Sequence, residues 1–227
     1  MKKSRIKLVT IIVLAVVMLV SCNGKTGTMT DIDGNIYQTI QIGNQTWMAE
    51  NLKVTHYRNG DAIQTGYSNS EWEDLYDTET GAYCVYDDQE SNADTYGYLY
   101  NWVAVDDTRN IAPEGWHIPT DEEWQILVDF LGGSSVAGGK MKETGTVHWN
   151  SPNTGATNES GFTALPGGYR SYDYGNYNDM GNTGCFWSST EYDSTNAWTR
   201  KLYYYSSEVP RYYYCKKHGI SVRLVRD

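Results

Sequence analysis

The chain has 227 residues, of which 40% are apolar, and this is enough to build one large domain around its own core. Its formal net charge of −10 argues against a nucleic-acid partner, since phosphates demand a basic binding surface. Solubility is the simplest explanation of the acidity.

The first 22 residues are predicted to be a targeting leader. Four basic residues precede an apolar run, Leu8 to Val20, which is too short to span a bilayer comfortably. Loss of this leader would lower the formal charge from −10 to −14. The leader ends in Leu19-Val20-Ser21-Cys22, which resembles a bacterial lipobox.

The lipobox resemblance implies that Cys22 is acylated and that the protein is a lipoprotein. Several acyl chains hold a protein at a membrane that one chain holds only weakly. The alternative is an ordinary secretory signal in which the cysteine is incidental. Residues 23–30 are small and polar, so we expect them to form a tether between the anchor and the folded domain.

The segment Asp31-Ile32-Asp33-Gly34-Asn35 allows two interpretations. Its alternating Asp and Asn side chains are typical of half a calcium loop, but the closing Glu of such a loop is absent. Because Asp33-Gly34 precedes the strand-like Ile36 to Ile42, the pattern favours a hairpin turn.

A polar, acidic stretch runs from Tyr67 to Thr95 and is predicted to be a long loop with one strand, Ala82 to Tyr86. Its closest group of carboxylates is a candidate calcium site, which consists of Asp87, Asp88, Glu90 and Asp94. A solvated acidic loop is the favoured alternative, so no metal or other cofactor is expected.

The clearest secondary-structure prediction in the chain is a helix that begins after Thr120. Thr120 and Glu123 have the spacing of a capping box. The next apolar residues fall at i, i+3, i+4 and i+7 on one helix face, and they are Trp124, Leu127, Val128 and Leu131. Gly132 supplies the end. A shorter helix is predicted from Tyr98 to Val105, which makes two main helices.

Glycines precede a lysine in Gly138-Gly139-Lys140, as they do in a phosphate-binding loop. The spacing does not match the G-x-x-x-x-G-K-[ST] pattern, because Met141 follows the lysine. The segment is therefore predicted to be a flexible loop.

Tyrosine is concentrated in the C-terminal part of the chain, where 11 of the 20 tyrosines follow Pro166. They lie among Ser, Gly, Asn and Asp, and this amino-acid composition is typical of binding surfaces such as antibody paratopes. The candidate ligand-binding residues are Tyr172, Tyr174, Tyr177, Tyr203, Tyr205, Arg211, Tyr212 and Tyr214. The alternative is that these tyrosines are ordinary β-formers on a two-sided sheet.

Seven spaced blocks carry a family resemblance over residues 31–227. The blocks are Trp47-Met48-Ala49-Glu50-Asn51-Leu52, Tyr98-Leu99-Tyr100-Asn101-Trp102, Gly115-Trp116-His117-Ile118-Pro119-Thr120, His148-Trp149-Asn150, Gly161 to Arg170, Trp187-Ser188-Ser189-Thr190-Glu191 and Gly219-Ile220-Ser221-Val222-Arg223. Their order and spacing resemble the Fibrobacter succinogenes major paralogous domain.

This resemblance implies a single α+β domain over residues 31–227. Its fold would be similar to those of C-type lectins and formylglycine-generating enzymes, with small twisted antiparallel sheets, two main helices and long loops. In lectin-like folds this C-terminal half forms the ligand face, which agrees with the tyrosine-rich composition. A fold hosts many functions, however, so the resemblance implies little about activity.

The expected function is ligand binding at the bacterial cell envelope by a lipid-anchored protein, most simply at the outer membrane. The ligand would be a glycan or a surface protein. One alternative is a structural or assembly component of the envelope. Another is a ligand-display protein whose tyrosine tracts are diversified by mutagenic retroelements, as in related folds.

An enzyme is not expected. None of the four histidines lies in a metal-ligand spacing such as H-E-x-x-H, and no G-x-S-x-G elbow is present. His117 and His148 are expected to make structural hydrogen bonds, although a pocket that joined either to a carboxylate would favour an enzyme. The copper-binding cysteine pair of formylglycine-generating enzymes has no counterpart here.

Three cysteines remain beyond Cys22, an odd number for an oxidising compartment. Many members of the family that this chain resembles carry cysteines where this chain has Ala112 and Leu224. The resemblance therefore implies that a family disulfide is absent here. A disulfide between Cys185 and Cys215 is one expectation, and it would leave Cys84 as a buried thiol.

Overall fold

The computed structural model describes residues 24–75 and 78–227. The strands within these ranges are β1 (Thr26–Thr30), β2 (Ile36–Ile42), β3 (Gln45–Met48), β4 (Tyr83–Cys84), β5 (Leu99–Tyr100), β6 (Trp116–His117), β7 (Gly167–Arg170), β8 (Tyr177–Met180), β9 (Thr183–Glu191), β10 (Asn196–Tyr203), β11 (Arg211–Cys215), β12 (Ile220–Ser221) and β13 (Val225–Arg226). The helices are α1 (Asn69–Asp74), α2 (Ala93–Tyr96), α3 (Trp102–Asp106), α4 (Asp121–Phe130) and α5 (Ser134–Met141).

The smaller sheet has five strands in the order β1-β2-β3-β13-β6. Its first two strands form a hairpin closed by Asp31, whose carboxylate accepts hydrogen bonds from the backbone N–H groups of Asp33 and Asn35 and from the Tyr37 hydroxyl. The predicted hairpin turn is therefore confirmed. The tether prediction is wrong for Thr26–Thr30, because these residues pair with β2 along their whole length.

The larger sheet follows the order β11-β10-β9-β12-β5-β4, and β7 branches from β9 and pairs in turn with β8. Most pairs are antiparallel, but β12 and β7 both run parallel to β9. Strand β11 lies at the edge of this sheet and pairs only with β10 among the described strands. The tyrosine-rich end of the chain therefore forms the open edge.

Helix α4 forms as its sequence predicts, and it packs between the two sheets. The Thr120 side chain accepts from the Glu123 N–H, and the Glu123 carboxylate accepts from the Thr120 N–H, so the capping box is complete. Its predicted apolar face is buried in one cluster with residues of both sheets, including Trp47 and Phe186. Burial of a full aromatic or aliphatic side chain contributes roughly 1.5–3 kcal/mol.

The other predicted helix is wrong in extent. Within Tyr98 to Val105, the first residues form β5, and α3 starts only at Trp102. The Asn101 side chain caps α3 by accepting from the Ala104 N–H, which fixes this boundary. The second long helix is instead α5, at the glycines predicted to be a loop.

Arg223 joins the end of β3 to a later loop. Its buried guanidinium donates to the backbone carbonyls of Met48, Phe162 and Thr163 and to the Asn51 side chain. Burial lowers the pKa of Arg223 to about 9. These contacts give a structural reason for an arginine at the end of the Gly219 to Arg223 block.

The described residues form an α+β fold, as the sequence predicts. None of the helices in residues 24–75 and 78–227 has the length and apolar character that a membrane crossing needs. The predicted leader and Cys22 lie outside the described residues.

Candidate functional site

Five tyrosines gather on one face of the larger sheet, at its open edge. The rings of Tyr203 and Tyr205 stack with centroids 5.1 Å apart, and those of Tyr212 and Tyr214 lie 5.4 Å apart. Tyr204 instead packs against the core around α4, as strand alternation requires. We call the set of Tyr169, Lys201, Tyr203, Tyr205, Tyr212 and Tyr214 the tyrosine face.

Lys201 lies at the centre of the tyrosine face. Its ammonium donates a hydrogen bond of 2.6 Å to the Tyr214 hydroxyl and lies 5.0–5.7 Å from the ring centroids of Tyr169, Tyr203 and Tyr214. These distances are in the range of cation–π attraction. The cation therefore holds the three rings together.

The outer rings of the face remain accessible. Tyr205 is 56% exposed and Tyr212 is 48% exposed, whereas Tyr203 and Tyr214 are partly buried. Burial raises the pKa of Tyr203 to about 12, so its hydroxyl stays protonated and can donate to a ligand at neutral pH. The face thus offers apolar ring surfaces beside neutral hydroxyls and one cation.

His218 forms part of the floor of this region. Its ring lies 4.6 Å from the Tyr214 ring, 5.0 Å from Tyr172 and 5.7 Å from Tyr169, measured between centroids. Its Nδ1 is 3.0 Å from the Cys215 carbonyl, so the neutral ring donates there. Burial lowers the pKa of His218 to about 4, and the ring is uncharged at neutral pH. Tyr172 therefore joins the tyrosine face through a histidine.

Arg211 does not lie on this face, so the structure does not bring this ligand-binding candidate together with Tyr212. Alternation along β11 sends it to the opposite side, where its guanidinium lies 3.4 Å from the Trp198 ring centroid and 2.7 Å from the Asp121 carboxylate. Tyr213 stacks on Tyr192 at 4.3 Å, and its ring also lies 5.6 Å from that of Tyr212. These contacts give Arg211 a structural role.

Two further candidates are also separated from the face. Tyr177 lies on β8, where its hydroxyl donates to the Asp88 carboxylate at 2.6 Å and its ring is 5.2 Å from Tyr86. Tyr174 is 71% exposed in the loop after β7 and has no ring contact with the tyrosine face. The structure thus gathers Tyr203, Tyr205, Tyr212 and Tyr214, with Tyr172 alongside.

The four acidic candidates for a metal do not converge. Asp88 accepts from Tyr177, Glu90 accepts from Tyr98 at 2.8 Å, and Asp94 pairs with Lys53 at 3.5 Å. Across the described ranges, no group of three or more His, Cys, Asp or Glu side chains has a metal-binding arrangement. Nothing in this loop, Asp87 included, assembles the six to eight oxygens that calcium takes.

The prediction of a disulfide between Cys185 and Cys215 is wrong. Cys185 pairs with Lys201 and Cys215 with Asn196, so the two cysteines flank β10 and are offset along it by five residues. Two strand spacings alone separate them by about 10 Å, beyond the roughly 7 Å that a disulfide tolerates between Cα atoms. All three described cysteines are free, and Cys84 is the buried thiol that was expected.

His117 and His148 each contact a carboxylate, but in structural settings. His117 lies 2.8 Å from Glu123 and 2.6 Å from Asp227, and so links the capping box of α4 to the last residue. Burial alone would lower the pKa of His117, but the hydrogen bonds to Asp227 and Glu123 raise it. His148 pairs with Glu143 at 2.8 Å. Both ring nitrogens of His117 and the Nδ1 of His148 therefore have carboxylate partners within the fold.

A separate cleft of about 480 Å³ lies beyond the end of α3. Acidic groups line it, including Asp106 and Glu191, and its one basic group is Lys216. The Lys216 ammonium is already held by Glu191 and lies 4.5 Å above the Trp102 ring. The positive charge of this cleft is thus neutralised within the fold.

Sequence reasoning missed three members of the candidate site, which are Tyr169, Lys201 and His218. A signal existed only for Lys201, since it precedes Tyr203 by two residues and so shares its side of a strand. Tyr169 and His218 reach the site from β7 and from the turn after β11. No local pattern connects those segments.

A family model described as the Fibrobacter succinogenes major domain matches residues 40–226. No curated protein and no solved structure matches the chain.

Proposed function

From the premise that the chain belongs to the Fibrobacter succinogenes major domain family, we propose that it is a non-catalytic recognition protein of the bacterial cell envelope, anchored to the outer membrane through a lipid on Cys22. The proposal includes a relationship between the fold of this chain and that of C-type lectins. Its ligand is a saccharide, bound at the tyrosine face without a metal or other cofactor.

The arrangement around Lys201 is the observation that carries this proposal. Tyr203, Tyr205 and Tyr214 present rings that suit the apolar faces of sugars, and their hydroxyls can pair with sugar hydroxyls. Rigid tyrosines lose little conformational entropy on binding. The internal Lys201 contacts also hold the inner rings in place before the ligand arrives, which lowers the cost of ordering them.

A glycan-array screen of the chain from Asn23 to Asp227 tests this function. We expect the wild type to bind one class of saccharide and the Tyr205→Ala, Tyr212→Ala double variant to lose about tenfold or more in affinity, because two accessible stacking surfaces are removed. The matched control is Tyr174→Ala, Tyr192→Ala, which removes two exposed rings that make no ring contact with the tyrosine face. The control should bind as the wild type does.

Running the array with calcium and with a chelator tests the metal-free mechanism, and binding should be equal in both. If a folded wild type binds no saccharide, the recognition proposal fails for glycans and a surface protein becomes the ligand to test. If both double variants bind like the wild type, the binding site lies elsewhere and the tyrosine face has a structural role.

A further inference from the structure

Helix α4 exposes large apolar side chains on the side away from the core. Ile126 is 55% exposed and Phe130 is 52% exposed, and at i and i+4 they lie side by side on the helix. Val136, also exposed, lies against Gly132 in the turn that follows α4. We call Ile126, Phe130 and Val136 the apolar ridge. Contiguous exposed apolar side chains of this kind often mark a contact surface.

The described chain begins next to the apolar ridge. Gly24 packs against the backbone of Gln41, and the Lys25 carbonyl accepts from the Gln41 N–H at 3.0 Å. Two residues further along β2, the turn at Gly43 packs directly against the Phe130 ring. Two residues of extended chain span only about 7 Å. The start of the described chain is therefore fixed close to Phe130.

A lipid on Cys22 would lie very near this start. Asn23 alone stands between Cys22 and Gly24, and two residues of fully extended chain reach at most about 7 Å. Since the paired strand β1 begins at Thr26, little slack remains for the domain to move away from the anchor. The anchor and the ridge are thus held at the same end of the domain.

We propose that the apolar ridge lies on the lipid bilayer and, with the anchor, sets the orientation of the domain. This inference rests on the lipid anchor of the proposed function. The ridge would enter the interfacial layer, as the apolar side of a surface-bound helix does, while the neighbouring carboxylates of Glu122 and Asp129 stay in water.

The orientation gives the tyrosine face a defined position. Arg200 and Leu202 on β10 point towards α4, where Arg200 pairs with Asp121 at 2.7 Å and Leu202 joins the α4 core. Lys201 and Tyr203 alternate to the other side of the sheet. With α4 on the bilayer, the tyrosine face points away from the membrane, open to an external ligand.

Site-specific fluorescence on the full lipidated chain tests the orientation. A single reactive cysteine would carry an environment-sensitive nitrobenzoxadiazole label at Phe130→Cys or, as a matched control, at Tyr205→Cys. Cys215→Ser removes the least buried native thiol from both proteins. Each protein is reconstituted into phosphatidylcholine vesicles with and without a lipid-borne nitroxide quencher, and flotation reports whether it is anchored.

We expect the label at position 130 to shift to the blue and to lose most of its emission to the lipid-borne quencher. The label at position 205 should stay aqueous and be quenched by iodide instead. Equal aqueous behaviour of both labels in floating protein would overturn the inference, as would lipid contact at position 205. A chain that fails to float lacks the lipid anchor, and this result would overturn the inference because the inference depends on that anchor. The glycan array reports the binding function separately from all these outcomes.

Discussion

The ammonium of Lys201 donates a 2.6 Å hydrogen bond to the hydroxyl of Tyr214, from the neighbouring strand of the same sheet. The pair lies where β10 and β11 meet, and Tyr169 and Tyr203 flank the same cation. Burial raises the pKa of Tyr214 well above its ordinary value, so the phenol stays protonated as the acceptor. A charge placed among rings thereby fixes the inner part of the tyrosine face.

A double-mutant cycle between Lys201→Met and Tyr214→Phe should detect this interaction. Hydrogen bonds to charged groups contribute more than neutral ones, and partial exposure reduces the value, so we expect a coupling energy of about 1 kcal/mol in urea unfolding. As a control, Lys201→Met and Tyr192→Phe should be additive, because Tyr192 lies on the opposite side. Additivity in both cycles would show that the Lys201–Tyr214 bond contributes nothing in solution.

Acid should destabilise the protein through His218. The folded state holds its pKa at about 4, below the ordinary value of 6.5, so the unfolded state takes up the proton first as the pH falls. Stability is therefore fully present above pH 6.5 and is lost towards about pH 4, by up to roughly 3 kcal/mol. Urea unfolding of wild type and His218→Gln across this range measures the effect.

The glutamine variant cannot titrate, so its stability should depend less steeply on pH between 6.5 and 4 than that of the wild type. Carboxylates contribute equally to both proteins and cancel in the comparison. Parallel curves for the two proteins would mean that His218 is already protonated in the fold or accessible to water.

Local patterns were sufficient to predict α4 and the first hairpin. The capping box and the apolar spacing of α4 are contained within about three turns, and Asp33-Gly34 specifies its own turn. The tyrosine face was predictable only in part. Alternation shows which residues of one strand share a side, but it does not show which strands lie next to each other. Tyr169 and His218 reach the face through long-range pairing, which no local pattern encodes.

Glycine misled the prediction for α5. Gly138 and Gly139 suggested a flexible loop, yet they lie inside a helix and are buried. Gly138 packs against the backbone at Glu208, and Gly139 packs against the backbone at Gly155. Glycine is used here for close approach of two backbones rather than for flexibility. The partners lie far along the chain, so the sequence could not reveal this reason.

Gly138→Ala distinguishes these two uses of glycine. In an exposed helix the change would stabilise by up to about 1 kcal/mol, through helix propensity. Here a Cβ would collide with the Glu208 backbone, so we expect destabilisation of about 1–3 kcal/mol or more. The control is Ser135→Ala, at an exposed position of the same helix, which should stabilise slightly. Thermal unfolding shows whether each variant is more or less stable than the wild type. Stabilisation by Gly138→Ala would contradict the packing of this glycine against the Glu208 backbone.

The three described cysteines should behave as independent thiols of different reactivity. Burial raises the pKa values of Cys84 and Cys185 to about 12, whereas Cys215 is only partly buried. Because the thiolate is the reactive form, Ellman's reagent should modify Cys215 first in the native protein and reach the other two only on unfolding. Cys215→Ser should therefore abolish the native reaction.

Dithiothreitol should leave the melting temperature unchanged, because no disulfide constrains the described residues. The offset of Cys185 and Cys215 across β10 makes their oxidation to a disulfide incompatible with the native pairing. A Cys185–Cys215 linked peptide in a digest of native, unreduced protein would contradict the register of β9, β10 and β11. The same result would displace Tyr212 and Tyr214 from the tyrosine face, so this measurement also tests the geometry on which the proposed recognition depends.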